Sequence, residues 1–136
     1  PMDLLSDLMN LKLKERASYD AKSNLLSIDL SGWSVRKKGD IADLKKAIVE
    51  MCEAAGQRVN VVVNQDSCRI AEDLYEEYAD MVAFLKKNYY ARMARYATSD
   101  ITRHKLQEAL RRRGLQTQIF ERAEDAAASL EQQAAE

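Results

Sequence analysis

The 136-residue chain is poor in the residues that most often carry chemistry or covalent scaffolding: one histidine, two cysteines, one proline and four glycines. One histidine and two cysteines outside any CxxC spacing make no metal site. Cys52 and Cys68 also provide no disulfide framework, which suits a reducing compartment. So little proline and glycine leaves little material for a long linker. Charge of one sign is missing too: 21 basic against 22 acidic residues give a net charge of −1. No global field therefore draws nucleic acid or an anionic membrane to the chain. No apolar run approaches the ~20 residues of a spanning helix, and no signal-peptide pattern is present. These absences lead us to expect a soluble, cytoplasmic chain without metal, nucleic acid or membrane.

What is present suits one globular domain. With 46% hydrophobic and 32% charged residues, the composition is ordinary for a packed protein. Met2–Leu13 carries a helical leucine stripe, followed by a charged connector. Ala17 and Tyr19, the polar cluster Asp20–Asn24, and the alternation of Leu26, Ile28 and Leu30 with Ser27, Asp29 and Ser31 predict a β-hairpin. Asp40 is placed to cap a helix whose apolar face is Ile41, Leu44, Ala47, Ile48, Met51 and Ala55, with Gly56 as its stop. Val59–Val63 reads as a strand buried on both faces. Leu74 to Tyr89 recur at helical spacing, with acids first and lysines last, complementing the helix dipole. A strand near Arg92–Ala97, a helix capped by Ser99 or Asp100 and stopped by Gly114, a strand at Gln116–Phe120 and a helix over Glu121–Ala135 complete the order. Strands alternating with helices imply right-handed crossovers and an α/β fold with a mixed, mostly parallel sheet.

The chemistry-bearing candidates cluster where the valine strand ends. Ser67 in Asn64-Gln65-Asp66-Ser67 is a candidate phosphosite, or a helix cap accepting a backbone N–H. Asn64, Asp66, Ser67, Thr98 and Ser99 should share the carboxyl ends of adjacent strands, where open α/β sheets bind ligands. They form a candidate anion or ligand crevice. Against that stand two aspartates and the lack of a glycine-rich loop, and helix capping explains the same residues. No catalytic residue is assigned: Ser67 has no adjacent base, and His104 reads as solvated. Cys68 and Cys52 read as buried small hydrophobes. The Tyr89–Tyr96 stretch interleaves aromatics with arginines, and Arg111-Arg112-Arg113 adds a basic cluster. The simpler account of the triple arginine is a helix C-terminus complementing its dipole. The leucines of Met2–Leu13, with Trp33, are the best interaction feature.

The element order after the N-terminal segment resembles the sulfate-transporter/anti-sigma-factor-antagonist (STAS) fold, with Asp66-Ser67 where that family places its switch serine. The usual Asp-Ser-Ser-Gly is here Asp66-Ser67-Cys68-Arg69. A sequence resemblance covering most of the chain is to the C-terminal extension of bacterial acyl-CoA:acetate/3-ketoacid CoA-transferases. It is carried by Met2-Asp3-Leu4, Tyr19-Asp20, Asn24-Leu25-Leu26, Val63-Asn64 with Asp66, Tyr78–Val82, Tyr89-Tyr90, Lys105-Leu106 with Ala109-Leu110, and above all Arg95-Tyr96-Ala97-Thr98-Ser99. The resemblance implies a helix or connector over residues 1–15 and a STAS-like domain over 16–136. It implies a non-catalytic docking, assembly or regulatory role beside a transferase portion that moves CoA between an acyl-CoA and a carboxylic acid. The catalytic glutamate would lie in that portion. CoA would belong to the parent enzyme, with no cofactor in this chain. The partner would be the transferase portion, another protein or a second copy. The alternative is a free-standing anti-sigma-antagonist-like module with Ser67 as its switch.

Overall fold

The computed structural model describes residues 4–116 and 118–133, without the side chains of residues 5–7. Helix α1 (Leu4–Glu15) leads into a hairpin of β1 (Ala17–Asp20) and β2 (Leu25–Asp29). The hairpin turn is built by its polar cluster. Asp20 accepts from the Lys22 N–H and the Ser23 hydroxyl, and Asn24 takes the left-handed conformation at φ 52°. After a two-residue β3 (Ser34–Val35), α2 (Lys38–Ala55) crosses to β4 (Val59–Asn64). Lys37 is the N-cap of α2, and the Asp40 carboxylate one turn in accepts the Arg36 and Lys37 N–H groups at 2.8 and 3.2 Å. Gly56, at φ 73°, ends α2 in the left-handed region that glycine adopts without a Cβ penalty.

The chain continues through β5 (Arg69–Ile70), one 3-10 turn at Glu72–Leu74, α3 (Tyr75–Asn88), β6 (Tyr90–Tyr96), α4 (Asp100–Arg111) and α5 (Ala123–Gln132). Four strands form a sheet in the order β1-β2-β4-β6, with β1 antiparallel and the rest parallel. β3 and β5 pair separately as a short parallel ribbon. From β2 to β6 the order advances in one direction only. Right-handed crossovers of that kind put their helices on one face of the sheet. There α1 packs on α2, α2 on α3 and α3 on α4. The opposite face is covered by α5, where Ala126 and Leu130 pack with Ala94, Val62, Leu25 and Tyr96.

The parallel register sets the core in rows. Leu26, Val61 and Met93 align across three strands, and Ile28, Val63 and Arg95 align in the next row. Both rows face the helices that carry Leu44, Ile48, Tyr78, Val82 and Leu85. Val59, Val61 and Val63 are buried against the α2 and α3 side chains, whereas Asn60, Val62 and Asn64 on the α5 side are half-buried, so the burial expected on both faces is complete on one only.

The structure differs from the sequence expectations at several boundaries. The strand expected from Arg92 begins at Tyr90, which is fully buried, because the bulge at Val59/Asn60 brings Tyr90 opposite Val59. Of the strand expected at 116–120, Phe120 alone pairs, through a parallel bridge to Tyr96; residue 117 lies outside the described residues. Residues 134 and 135 of the expected last helix, and residues 2 and 3 of the first, lie outside them as well. α1 is anchored to the body. Leu13 is 1% exposed in the core, and Lys14 and Asn10 both reach Glu50 of α2. Among the described residues no helix is long and apolar enough to cross a membrane.

Candidate functional site

The strand ends of β4 and β6 are locked together by the polar residues that follow β4. The Asn64 side chain accepts the Asp66 N–H at 2.9 Å, and the Asp66 carboxylate accepts the Thr98 N–H at 2.6 Å. Backbone bonds tie the same segment sideways. Gln65 N–H donates to Tyr96 O, Gly32 N–H to Asp66 O and Leu30 N–H to Asn64 O. Asn64, Asp66 and Thr98 are thus brought together as the sequence suggests. These bonds use the Asn64 Oδ1, one Asp66 carboxylate oxygen and the Asp66 and Thr98 N–H groups. Ser99 is the N-cap of α4, its hydroxyl accepting from Thr102 N–H at 3.3 Å. Arg103 closes the loop from the helix side, donating to the carbonyls of Ala97 and Thr98 and pairing with Asp100 and Glu121. The expected crevice is thus crossed by hydrogen bonds between its own residues, while Ser67 and Thr98 stay exposed.

Ser67 is placed differently from its expected role as a cap. A turn closed by Cys68 N–H to Gln65 O at 3.1 Å carries Ser67 at φ 55° near its apex, exposed. The chain then enters β5, and the next helical turns begin at Glu72 and Tyr75, with Ala71 and Leu74 at their N-cap positions. Ser67 therefore caps no helix. Substituting Ser67 with alanine should change stability by no more than about 0.5 kcal/mol, the usual range for an exposed residue. Glycine there should be neutral or stabilising by up to about 1 kcal/mol, since it removes the left-handed strain. Urea unfolding of both variants checks this; a loss above about 1 kcal/mol for the alanine variant would restore a capping role.

Beneath the turn lies a buried polar cluster absent from the sequence reading. Gln65 is fully buried, and its Oε1 accepts from Arg95 Nη1 at 2.7 Å and from the Tyr78 hydroxyl at 3.3 Å. Arg95 is 4% exposed, and its guanidinium stands 5.9 Å from the centre of the Tyr78 ring. Burial pushes the Tyr78 phenol up to about 12, against the opposing pull of Arg95. Gln65 Nε2 and Arg95 Nε have no partner among the described residues. The signal for this was in the alternation of β6: Met93 and Arg95 share a face, so a buried Met93 puts Arg95 inside.

Cys68 and Cys52 are each 2% exposed, and burial raises both thiols to about 11. Both stay protonated near neutral pH, where the thiolate would be the reactive form. We expect neither to be alkylated by iodoacetamide at pH 8 in the folded chain and both to react in urea. Mass spectrometry of a timed reaction checks this, and rapid labelling of native Cys68 would contradict the packing described.

His104 is exposed, as expected for a solvated residue. The triple arginine does not form a free basic patch. Arg112 pairs with Glu76, Arg113 with Glu76 and Asp80, and Arg111 with Glu108, so the end of α4 is clamped to α3. The Arg113 hydrogen bond, with Arg112 beside it, holds the Glu76 carboxyl below its ordinary value. Tyr89 is half-buried, and its hydroxyl reaches Glu53 at 3.3 Å. Trp33, grouped with the surface leucines in sequence, is instead 8% exposed, with Arg16 over its ring at 5.3 Å. Those leucines do divide into two faces. Leu4, Leu8 and Leu11 are 69%, 53% and 59% exposed, whereas Leu13 is in the core. Among the described residues no group of three or more His, Cys, Asp or Glu is placed to hold a metal ion. Comparison with family models, with curated proteins and with solved structures found no match.

Proposed function

We propose that this chain is a non-catalytic, STAS-like docking or assembly domain that works beside the transferase portion of an acyl-CoA:acetate/3-ketoacid CoA-transferase. The observation that carries the docking role is α1. One side of the helix is fixed to the body through Leu13 and Met9, and the exposed Leu4, Leu8 and Leu11 fall at i, i+4 and i+7 on another side. A rigidly mounted apolar face is what a partner surface requires. The hairpin-led, mostly parallel sheet with four helices on one face is compatible with the STAS-like reading. The partner is named by the sequence resemblance centred on Arg95-Tyr96-Ala97-Thr98-Ser99. In this reading CoA is bound and transferred by the parent enzyme, and no residue here takes part in the transfer. The chain alone should show no CoA exchange between acetyl-CoA and acetate. A parent enzyme lacking it should keep the exchange but change its assembly state. Turnover by the isolated chain would end the non-catalytic reading.

A second reading is favoured by one observation. The Ser67 hydroxyl is exposed at a left-handed position, a conformation uncommon for serine. That is the accessibility a kinase needs, in a module whose partner binding is set by phosphate charge. Kinase-dependent labelling lost in Ser67→Ala supports it, and labelling that persists in that variant removes it.

A further inference from the structure

A groove of about 780 Å³ runs between the last turns of α1, the turn after β2 and the start of α2. Four cations line it: Lys12 and Arg16 from one bank, Arg36 and Lys37 from the other. Only two carboxylates stand against them. Of these, Asp40 accepts the backbone N–H groups of Arg36 and Lys37, and with Glu15 it leaves four positive charges against two negative ones in the lining.

The contrast with neighbouring lysines is informative. Lys14 and Lys38, which do not line the groove, pair with Glu50 and Glu77. Lys12, Arg36 and Lys37, which do line it, have no carboxylate in ion-pair contact among the described residues. Arg16 is held over the Trp33 ring and donates to Ser31 O at 2.5 Å. Trp33 forms part of the wall, more than nine-tenths buried, and its indole N–H has no acceptor among the described residues. Unneutralised cations facing one another across a concave surface concentrate positive potential there.

We propose that this groove binds a phosphorylated small molecule carrying at least two negative charges. Two banks of cations favour a ligand with more than one anionic oxygen cluster, because a single charge would satisfy one bank and leave the other uncompensated. Arginine offers planar paired donors to phosphate oxygens, and lysine a mobile point charge. The site is separate from the Leu4, Leu8 and Leu11 face, so it does not depend on the docking role.

The chain's only tryptophan, Trp33, provides the readout. Pyrophosphate titrated into the chain at low ionic strength should give a saturable change in Trp33 fluorescence, matched by calorimetry. The variant Lys12→Gln/Arg36→Gln/Lys37→Gln should bind at least tenfold more weakly while keeping its thermal midpoint, because these side chains are exposed. Orthophosphate should bind more weakly than pyrophosphate. No saturation up to about 10 mM pyrophosphate, or equal affinity in the triple variant, would overturn the proposal. So would binding to phosphatidylglycerol vesicles or to a glutamate-rich peptide without binding to pyrophosphate; those results would assign the groove to a lipid surface or an acidic protein.

Discussion

Replacing Gln65 with leucine is expected to destabilise the fold by about 3 kcal/mol, although leucine is apolar and close in size. Gln65 Oε1 is the acceptor for both Arg95 Nη1 and the Tyr78 hydroxyl. Leucine would fill the space and leave the guanidinium of Arg95, a residue 4% exposed, without its acceptor. Ion pairs elsewhere in the molecule do not offset this, since Arg95 sits third in a row begun by Ile28 and Val63. The cost should therefore belong to the charge and not to lost packing. A double variant, Gln65→Leu/Arg95→Met, tests that. Removing the charge along with its acceptor should recover at least half of the loss, as in other buried polar groups replaced by apolar side chains. Urea unfolding of wild type, both single variants and the double variant gives the coupling. Additive losses would show that Gln65 and Arg95 act independently.

Leu13→Ala should cost about 2–5 kcal/mol, the range for deleting a buried leucine side chain. Two residues earlier, Leu11→Ala should change stability by no more than about 0.5 kcal/mol. The pair differs only in the side of α1 on which each residue lies, with Leu13 1% and Leu11 59% exposed. A large loss at Leu13 would establish α1 as part of the folded unit. Its consequence for function is direct, because only a helix fixed on one side can present its other side in a set orientation. Equal, small effects at both positions would make α1 a loosely attached segment.

Much of the fold was legible because its long elements carry strong patterns. α2 shows its apolar face and its Gly56 stop, and the hairpin shows alternation on both sides of Asp20–Asn24. The segment 65–74 was not legible, for a physical reason. Arg69–Ile70 is a strand only because Ser34–Val35 lies beside it, and two residues carry no period to read. Without that pairing, the polar run through Ser67 looks like the start of the following helix. The same gap hid the polar cluster. In sequence Arg95 is one of the arginines interleaved with aromatics over Tyr89–Tyr96, and only the register opposite Val63 shows that it turns inward. Of the caps expected at Ser67 and at Ser99 or Asp100, the one at Ser99 is formed, where a helix does begin.

The central claim is that α1 offers a docking face to the transferase portion, and sedimentation velocity measures it most directly. The chain would be mixed with that portion expressed separately, as wild type and as Leu8→Lys/Leu11→Lys. A complex is expected with wild type and one at least about tenfold weaker with the variant, whose fold should be unchanged because both positions are exposed. No complex, or one of equal affinity with both, would contradict it.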